Sequence, residues 1–166
     1  TITVPAGVTD FTVSYPALTD AILENDETTT LEIGGVIGTG TINDAGDAIP
    51  VVNIEATTDS ATEGAGDSLV FAISQTGATD KDSNVTATLN LGDIDASDID
   101  SITFTDANGT QTISVADAIA GVSVSIPAGS SVLPTFTITP NDDAIYEVSE
   151  ALSMSISNAI NASIGT

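Results

Sequence analysis

The sequence has no cysteine, histidine, arginine or tryptophan, and its one base is Lys81. Without histidine or cysteine, the commonest general base, the thiol nucleophile and the usual zinc and copper ligands are missing. A single lysine cannot supply the counterion-releasing footprint of a nucleic-acid binder, which excludes DNA, RNA and anionic membrane surfaces as expected partners. With no disulfide available, something else must stiffen a β-rich chain that works outside the cell. Aromatic residues make up 4% of the chain, too few to offer sugar rings much to stack on. No apolar run approaches the roughly 18 residues of a membrane-spanning helix, so no direct membrane insertion is expected. The start, Thr1-Ile2-Thr3-Val4, lacks the charged region of a signal peptide and reads as an interior piece of something longer.

What is present is acid: 24 Asp and Glu, giving a formal net charge of -23 over 166 residues. Asp, Glu, Asn and backbone carbonyls suit hard divalent cations, calcium above all where several converge. Acidity serves solubility alone in many proteins, and the charge count by itself favours that plainer reading. The 41% hydrophobic content is enough for packed cores.

Apolar residues alternate with Thr, Ser and Asn in short runs, among them Val52 to Ala56, Leu69 to Ile73, Val85 to Leu91, Val122 to Ile126 and Leu152 to Ile156. Period two predicts half-buried strands, and turn residues such as Glu63-Gly64-Ala65-Gly66-Asp67 and Pro127-Ala128-Gly129 punctuate them, as in an all-β sandwich. Asn108-Gly109, between Ile102-Thr103-Phe104 and Gln111-Thr112-Ile113, predicts a hairpin with positive φ at its turn. Val115 to Gly121 has room for one helical turn.

An internal repeat organises the chain. Val4-Pro5-Ala6-Gly7 recurs as Ile126-Pro127-Ala128-Gly129, Phe11-Thr12-Val13 as Phe136-Thr137-Ile138, and Ile37-Gly38-Thr39 as Ile164-Gly165-Thr166. The longest match aligns Asp20-Ala21-Ile22-Leu23-Glu24 and Glu27 with Asp143-Ala144-Ile145-Tyr146-Glu147 and Glu150, an offset of 123. So long a period fits whole domains strung as beads. Residues 1–46 read as the C-terminal part of one β-sandwich repeat, and 47–166 as a nearly complete second one. Asn43 to Pro50 reads as the linker. The second copy stops before a counterpart of Gly40-Thr41-Ile42-Asn43, expected to be a closing edge strand, so it is expected to lack its last strand. About three strands in the first copy cannot close a sandwich alone. One expectation is that they pair with the open edge of a neighbouring molecule, giving head-to-tail self-association.

The repeated Asp-x-x-x-Glu-x-x-Glu loop carries the candidate chemistry. Its carboxylates, Asp20, Glu24 and Glu27 in the first copy and Asp142, Asp143, Glu147 and Glu150 in the second, are too crowded to all enter a core. Calcium takes about six to eight oxygens, of which one loop supplies about half. The remainder is expected from the turn holding Asp59 and Glu63, or from the linker aspartates Asp44 and Asp47. The plain alternative is an exposed acidic turn. A second acidic run, Asp93 to Asp100, reads as an edge strand with a charged outer face rather than a second metal site, since it fits neither an EF-hand nor a nonapeptide repeat. The paired glutamates Glu147 and Glu150 invite comparison with glycosidases. Few aromatics and no sign of a deep pocket argue against it, and no catalytic residue is expected.

Ser125-Ile126-Pro127-Ala128-Gly129, Phe136-Thr137-Ile138, Asp142-Asp143-Ala144-Ile145-Tyr146-Glu147-Val148-Ser149-Glu150, Leu152 to Ile156 and the opening Thr62-Glu63-Gly64 together resemble the Calx-beta family. The same motif order resembles the repeats of giant RTX-type bacterial adhesins. The resemblance implies an immunoglobulin-like Greek-key sandwich at the bacterial cell surface, with Ca2+ bound at its loop ends and domain junctions. By position it implicates Glu63, Asp142, Asp143, Glu147 and Glu150, and Asp20, Glu24 and Glu27. Where the family often has Gly-Asp between the two glutamates, this chain has Val148-Ser149, whereas Asn25-Asp26 keeps the carboxylate in the first copy.

The expected function is therefore that of an extender: calcium stiffens tandem repeats so that they project a distal ligand-binding module, with neighbouring repeats of the same protein as partners. The alternative is a glycan-, cell- or ice-binding module, which a regular Thr array on one flat exposed face would favour.

Overall fold

The computed structural model describes residues 2–44, 46–146 and 148–165. The protein is all-β. Strands β1 (Ile22–Leu23), β2 (Glu27–Ile33) and β3 (Val36–Ile42) lie in the first copy. The second copy runs β4 (Val51–Thr58), β5 (Leu69–Thr76), β6 (Ala78–Thr79), β7 (Ser83–Asn90), β8 (Ile99–Asp106) and β9 (Gly109–Ile113). The helix α1 (Val115–Ala120) follows, then β10 (Val122–Ile126), β11 (Thr135–Pro140), β12 (Ser153–Ile160) and β13 (Ser163–Ile164).

Two sheets make the sandwich of the second copy. Six strands in the order β13-β4-β5-β11-β8-β9 share one core with three in the order β10-β7-β12. The alternation seen in the sequence supplies that core. Val52, Ile73, Ile102, Phe104, Phe136 and Ile138 are fully buried from the larger sheet, and Val85, Leu89 and Val124 from the smaller one. Phe136 pairs across the strands with both Phe71 and Phe104, and its ring lies tilted at 4.7 Å from that of Phe104. Helix α1 packs on β7 and β8 and buries Ala118, closing one flank of the sandwich. Its cap is Ser114, which accepts a hydrogen bond from the Asp117 N–H at 3.0 Å.

The β8–β9 hairpin forms where Asn108-Gly109 places it, with positive φ at Gly109. The Asp106 carboxylate ties the turn by accepting from the Asn108 N–H at 2.8 Å. The run from Asp93 to Asp98 is not an edge strand. It makes a turn and a single 3-10 turn (Ala96–Asp98), pinned by the Asp95 N–H donating to the Asp98 carboxylate at 2.9 Å, and β8 starts only at Ile99. Short aspartate side chains bonding their own backbone outcompete the ladder there.

The first copy forms a lone antiparallel hairpin, β2–β3, turning at Gly34-Gly35 with both residues at positive φ, as a tight hairpin turn requires. Phe11-Thr12-Val13 is not a strand, although its counterpart Phe136-Thr137-Ile138 is the middle of β11. The reason is the neighbours. β11 lies between β5 and β8, and neither has a counterpart in residues 2–50. The two copies are stitched together by β1 pairing in parallel with β6. The Asp80 N–H and the Thr79 hydroxyl both donate to the Leu23 carbonyl at 3.0 Å.

Candidate metal centre

The expected site residues fall into two groups at opposite ends of the sandwich of the second copy. The first lies where β4 begins and β5 ends. Here the Asp20 carboxylate accepts from the Ile22 N–H at 2.9 Å and turns the chain into β1. The linker then folds back onto this loop. The Glu24 N–H donates to the Asp44 carboxylate at 2.6 Å, and the Asp44 N–H to that of Asp26 at 3.3 Å. The Asp44 and Asp47 carboxyls are hydrogen-bonded to one another. The β1–β6 pairing brings Asp80 and Lys81 of the second copy alongside.

Crowding shows in the protonation. Glu24 is held above the usual carboxylate range chiefly by the charge of Asp20, then by burial, and then by Glu27, Asp80 and Asp44. Asp47 is raised by its hydrogen bond to Asp44, whose own carboxyl is lowered by that bond and by the Glu24 N–H. Positive charge relieves the pair little: Lys81, the only cationic side chain in the sequence, is the weakest of the influences on Asp44.

The second group lies at the far end, where β4 finishes, β5 starts and the β11–β12 connection passes. Gly64, at a positive φ of 67°, lets the turn press against Asp142, since a Cβ there would come within 3.0 Å of its carboxylate. That proximity gives the Thr62-Glu63-Gly64 motif a local reason. Asp142 shares a depression of about 330 Å3 with Asp67 and Asp100, which the sequence reading did not single out as ligands. Asp67 anchors the turn by accepting from the Thr62 N–H at 2.9 Å. Asp100 was hidden in the acidic run, and only the register of β8 brings it here. Glu63, Glu150 and Asp59 instead line a larger adjoining cleft of about 770 Å3. Asp143 turns inward on its own loop, accepting from the Ile145 N–H at 2.6 Å. Glu147 lies outside the described residues.

The structure thus brings together Asp20, Glu24, Glu27, Asp44 and Asp47, adds Asp80, and sets Asp142 against the turn at Gly64 with Asp67 and Asp100. Among the described residues, no three acidic side chains are already closed to a metal-ligating arrangement. The donor set is all oxygen, the chemistry of calcium rather than of a thiophilic metal. No family model, curated protein or solved structure matches the chain.

Proposed function

We propose that this chain is an extender segment of a bacterial cell-surface adhesin, of the Calx-beta-like, RTX type. In this reading it is a string of immunoglobulin-like sandwiches stiffened by calcium at its acidic loops and junctions, which projects a distal ligand-binding module and catalyses nothing. The observation that carries the proposal is the junction. A loop of one copy, the linker and the β5–β7 connection of the next copy meet there through named hydrogen bonds, and they bring seven carboxylates, Asp20, Glu24, Asp26, Glu27, Asp44, Asp47 and Asp80, into one neighbourhood with a single lysine. Divalent charge at that point offsets the repulsion that lifts Glu24, and it ties one bead to the next. The second acidic loop lies at the other end of the sandwich, so a tandem array places such a cluster at each joint.

Thermal unfolding with and without millimolar calcium tests this. An ion bound only by the native state stabilises by about 2.7 kcal/mol at a hundredfold excess over its Kd. The expected result is a melting temperature raised by several degrees in calcium and unmoved by equal magnesium.

One observation favours the binding-module reading. On the outer face of the larger sheet, Thr112, Thr103 and Thr137 stand side by side across β9, β8 and β11, and Thr110, Thr105 and Thr135 form a parallel rank. The Thr105 and Thr110 hydroxyls are 2.8 Å apart. Absence of any calcium shift would leave the carboxylates as surface charge and put this threonine face first.

A further inference from the structure

Three asparagines stand in the Asn-x-Ser/Thr triplet that accepts N-linked sugar: Asn84-Val85-Thr86, Asn108-Gly109-Thr110 and Asn161-Ala162-Ser163. In a chain so rich in serine and threonine the triplet alone decides nothing. The fold separates the three. Asn84 is half-buried in β7, the middle strand of its sheet, paired with Ser125 of β10 on one side and Ile160 of β12 on the other. Its Thr86 hydroxyl accepts from Asn158 Nδ2 at 3.3 Å. Asn161 is exposed, but its triplet holds distant parts of the sandwich together. Asn161 Nδ2 donates to the Asp82 carbonyl at 3.0 Å, and the Ser163 hydroxyl to the Pro50 carbonyl at 3.3 Å. An enzyme that took either triplet out of the fold would have to open the sandwich.

Asn108 is placed differently. It lies at the tip of the β8–β9 hairpin, where residues 107–112 are all exposed and none belongs to the core. Space around the tip is open: a Cβ added at Gly109 would meet no atom within 4 Å. The side-chain bonds of this triplet stay within the hairpin. Asn108 Nδ2 donates to the Asp106 carboxylate at 3.1 Å, and the Thr110 and Thr105 hydroxyls are 2.8 Å apart. β9 is the last strand of its sheet and pairs, among the described residues, with β8 alone. Lifting the tip into an enzyme cleft therefore breaks a few solvent-facing bonds and leaves Ile102 and Phe104 packed in the core.

We propose that Asn108 is an acceptor for N-linked glycosylation from a phosphate-activated glycosyl donor. In the transfer, Asn108 Nδ2 bonds to the anomeric carbon of the sugar and the bond from that carbon to the phosphate oxygen breaks. The phosphate group leaves with the electron pair, and Nδ2 gives one proton to a base of the transferase. The attached sugar stands beside Thr105 and Thr110, a bulky and solubilising group at the end of that threonine rank. The proposal rests on the cell-surface placement of the extender reading but not on its calcium.

The test offers the folded chain to two enzymes, each first shown active on its own acceptor peptide. One is a membrane oligosaccharyltransferase with a lipid-pyrophosphate-linked oligosaccharide, and the other a soluble N-glycosyltransferase with a nucleotide-activated hexose. Intact mass and glycopeptide mapping read the result. The expected outcome is one glycan per chain, on Asn108, in at least one arm, and the arm that works names the donor. Asn108→Gln and Thr110→Ala, both at exposed positions, should each abolish the added mass without moving the melting temperature. No transfer to the chain in either arm overturns the proposal, whether or not a peptide of residues 104–112 is modified. Sugar on Asn84 or Asn161 with Asn108 bare overturns it too, as does added mass that survives Asn108→Gln. The calcium melt is a separate measurement, so failure of the extender reading and failure of this site are told apart.

Discussion

Phe11 and Phe136 occupy the same place in two copies of one motif, yet Phe136 is 0% exposed and Phe11 46%. Leu31 and Met154, likewise equivalent, are 39% and 9% exposed. The local sequences differ little. What differs is the set of strands available to receive them, because β5, β7 and β8 exist only in the second copy. Strand propensity in this protein is an offer that only a neighbouring strand can accept.

The largest expected effect breaks this equivalence directly. Phe136→Ala removes a fully buried ring from between Phe71 and Phe104, and should destabilise by about 3–5 kcal/mol. Phe11→Ala, at the same motif position, should change stability by less than about 0.5 kcal/mol. Urea unfolding midpoints with unchanged slopes measure both. Equal losses would mean that residues 2–20 are packed in solution against something that the comparison leaves out.

The two acidic ends offer a second contrast, of intermediate size. Asp44 and Asp47 belong to the junction, and Asp142 to the far end beside Asp67 and Asp100. If each end binds calcium independently, Asp44→Asn with Asp47→Asn should abolish one class of binding heat in titration calorimetry and leave the other, while Asp142→Asn should do the reverse. Each variant should forfeit up to about 2.7 kcal/mol of calcium-dependent stabilisation at a hundredfold excess over Kd. Loss of all binding in either variant would show the ends to be one coupled system.

Sequence patterning went far for this fold because its signals are local. Period-two alternation located β4, β5, β7, β10 and β12, the Asn108-Gly109 pair marked its hairpin, and the helical turn formed at Val115–Ala120. The failures share one cause. Whether Phe11-Thr12-Val13 becomes a strand depends on partners tens of residues away, and whether Asp93 to Asp98 extends or coils depends on aspartates bonding their own backbone. For the site, the repeat was enough to pick out Asp20, Glu24 and Glu27, and the linker aspartates proved to be their companions. Asp80, Asp67 and Asp100 stayed hidden, since only the β1–β6 pairing and the register of β8 bring them to the clusters.

The smallest expected effect concerns pH at the junction. Glu24 has a folded-state pKa above its ordinary 4.5, and Asp47 above 3.8, so through the window above those values the docked junction binds more protons than the open one. Its stability therefore falls as pH rises through that window. Asp44, lowered from 3.8, acts in the opposite sense, but its contribution is lost only as pH falls through its lowered value, below the same window. In chelator, protection of the Asp80 amide, which donates to Leu23, should decline as pH rises past about 4.5, while protection of the Ile73 amide in the core stays level. Asp20→Asn removes the largest cause of the Glu24 shift and should flatten the decline. Saturating calcium should also flatten it, since bound divalent charge then does what the extra proton did. A decline shared equally by Asp80 and Ile73 would mean that the whole sandwich, not the joint, answers to the charge.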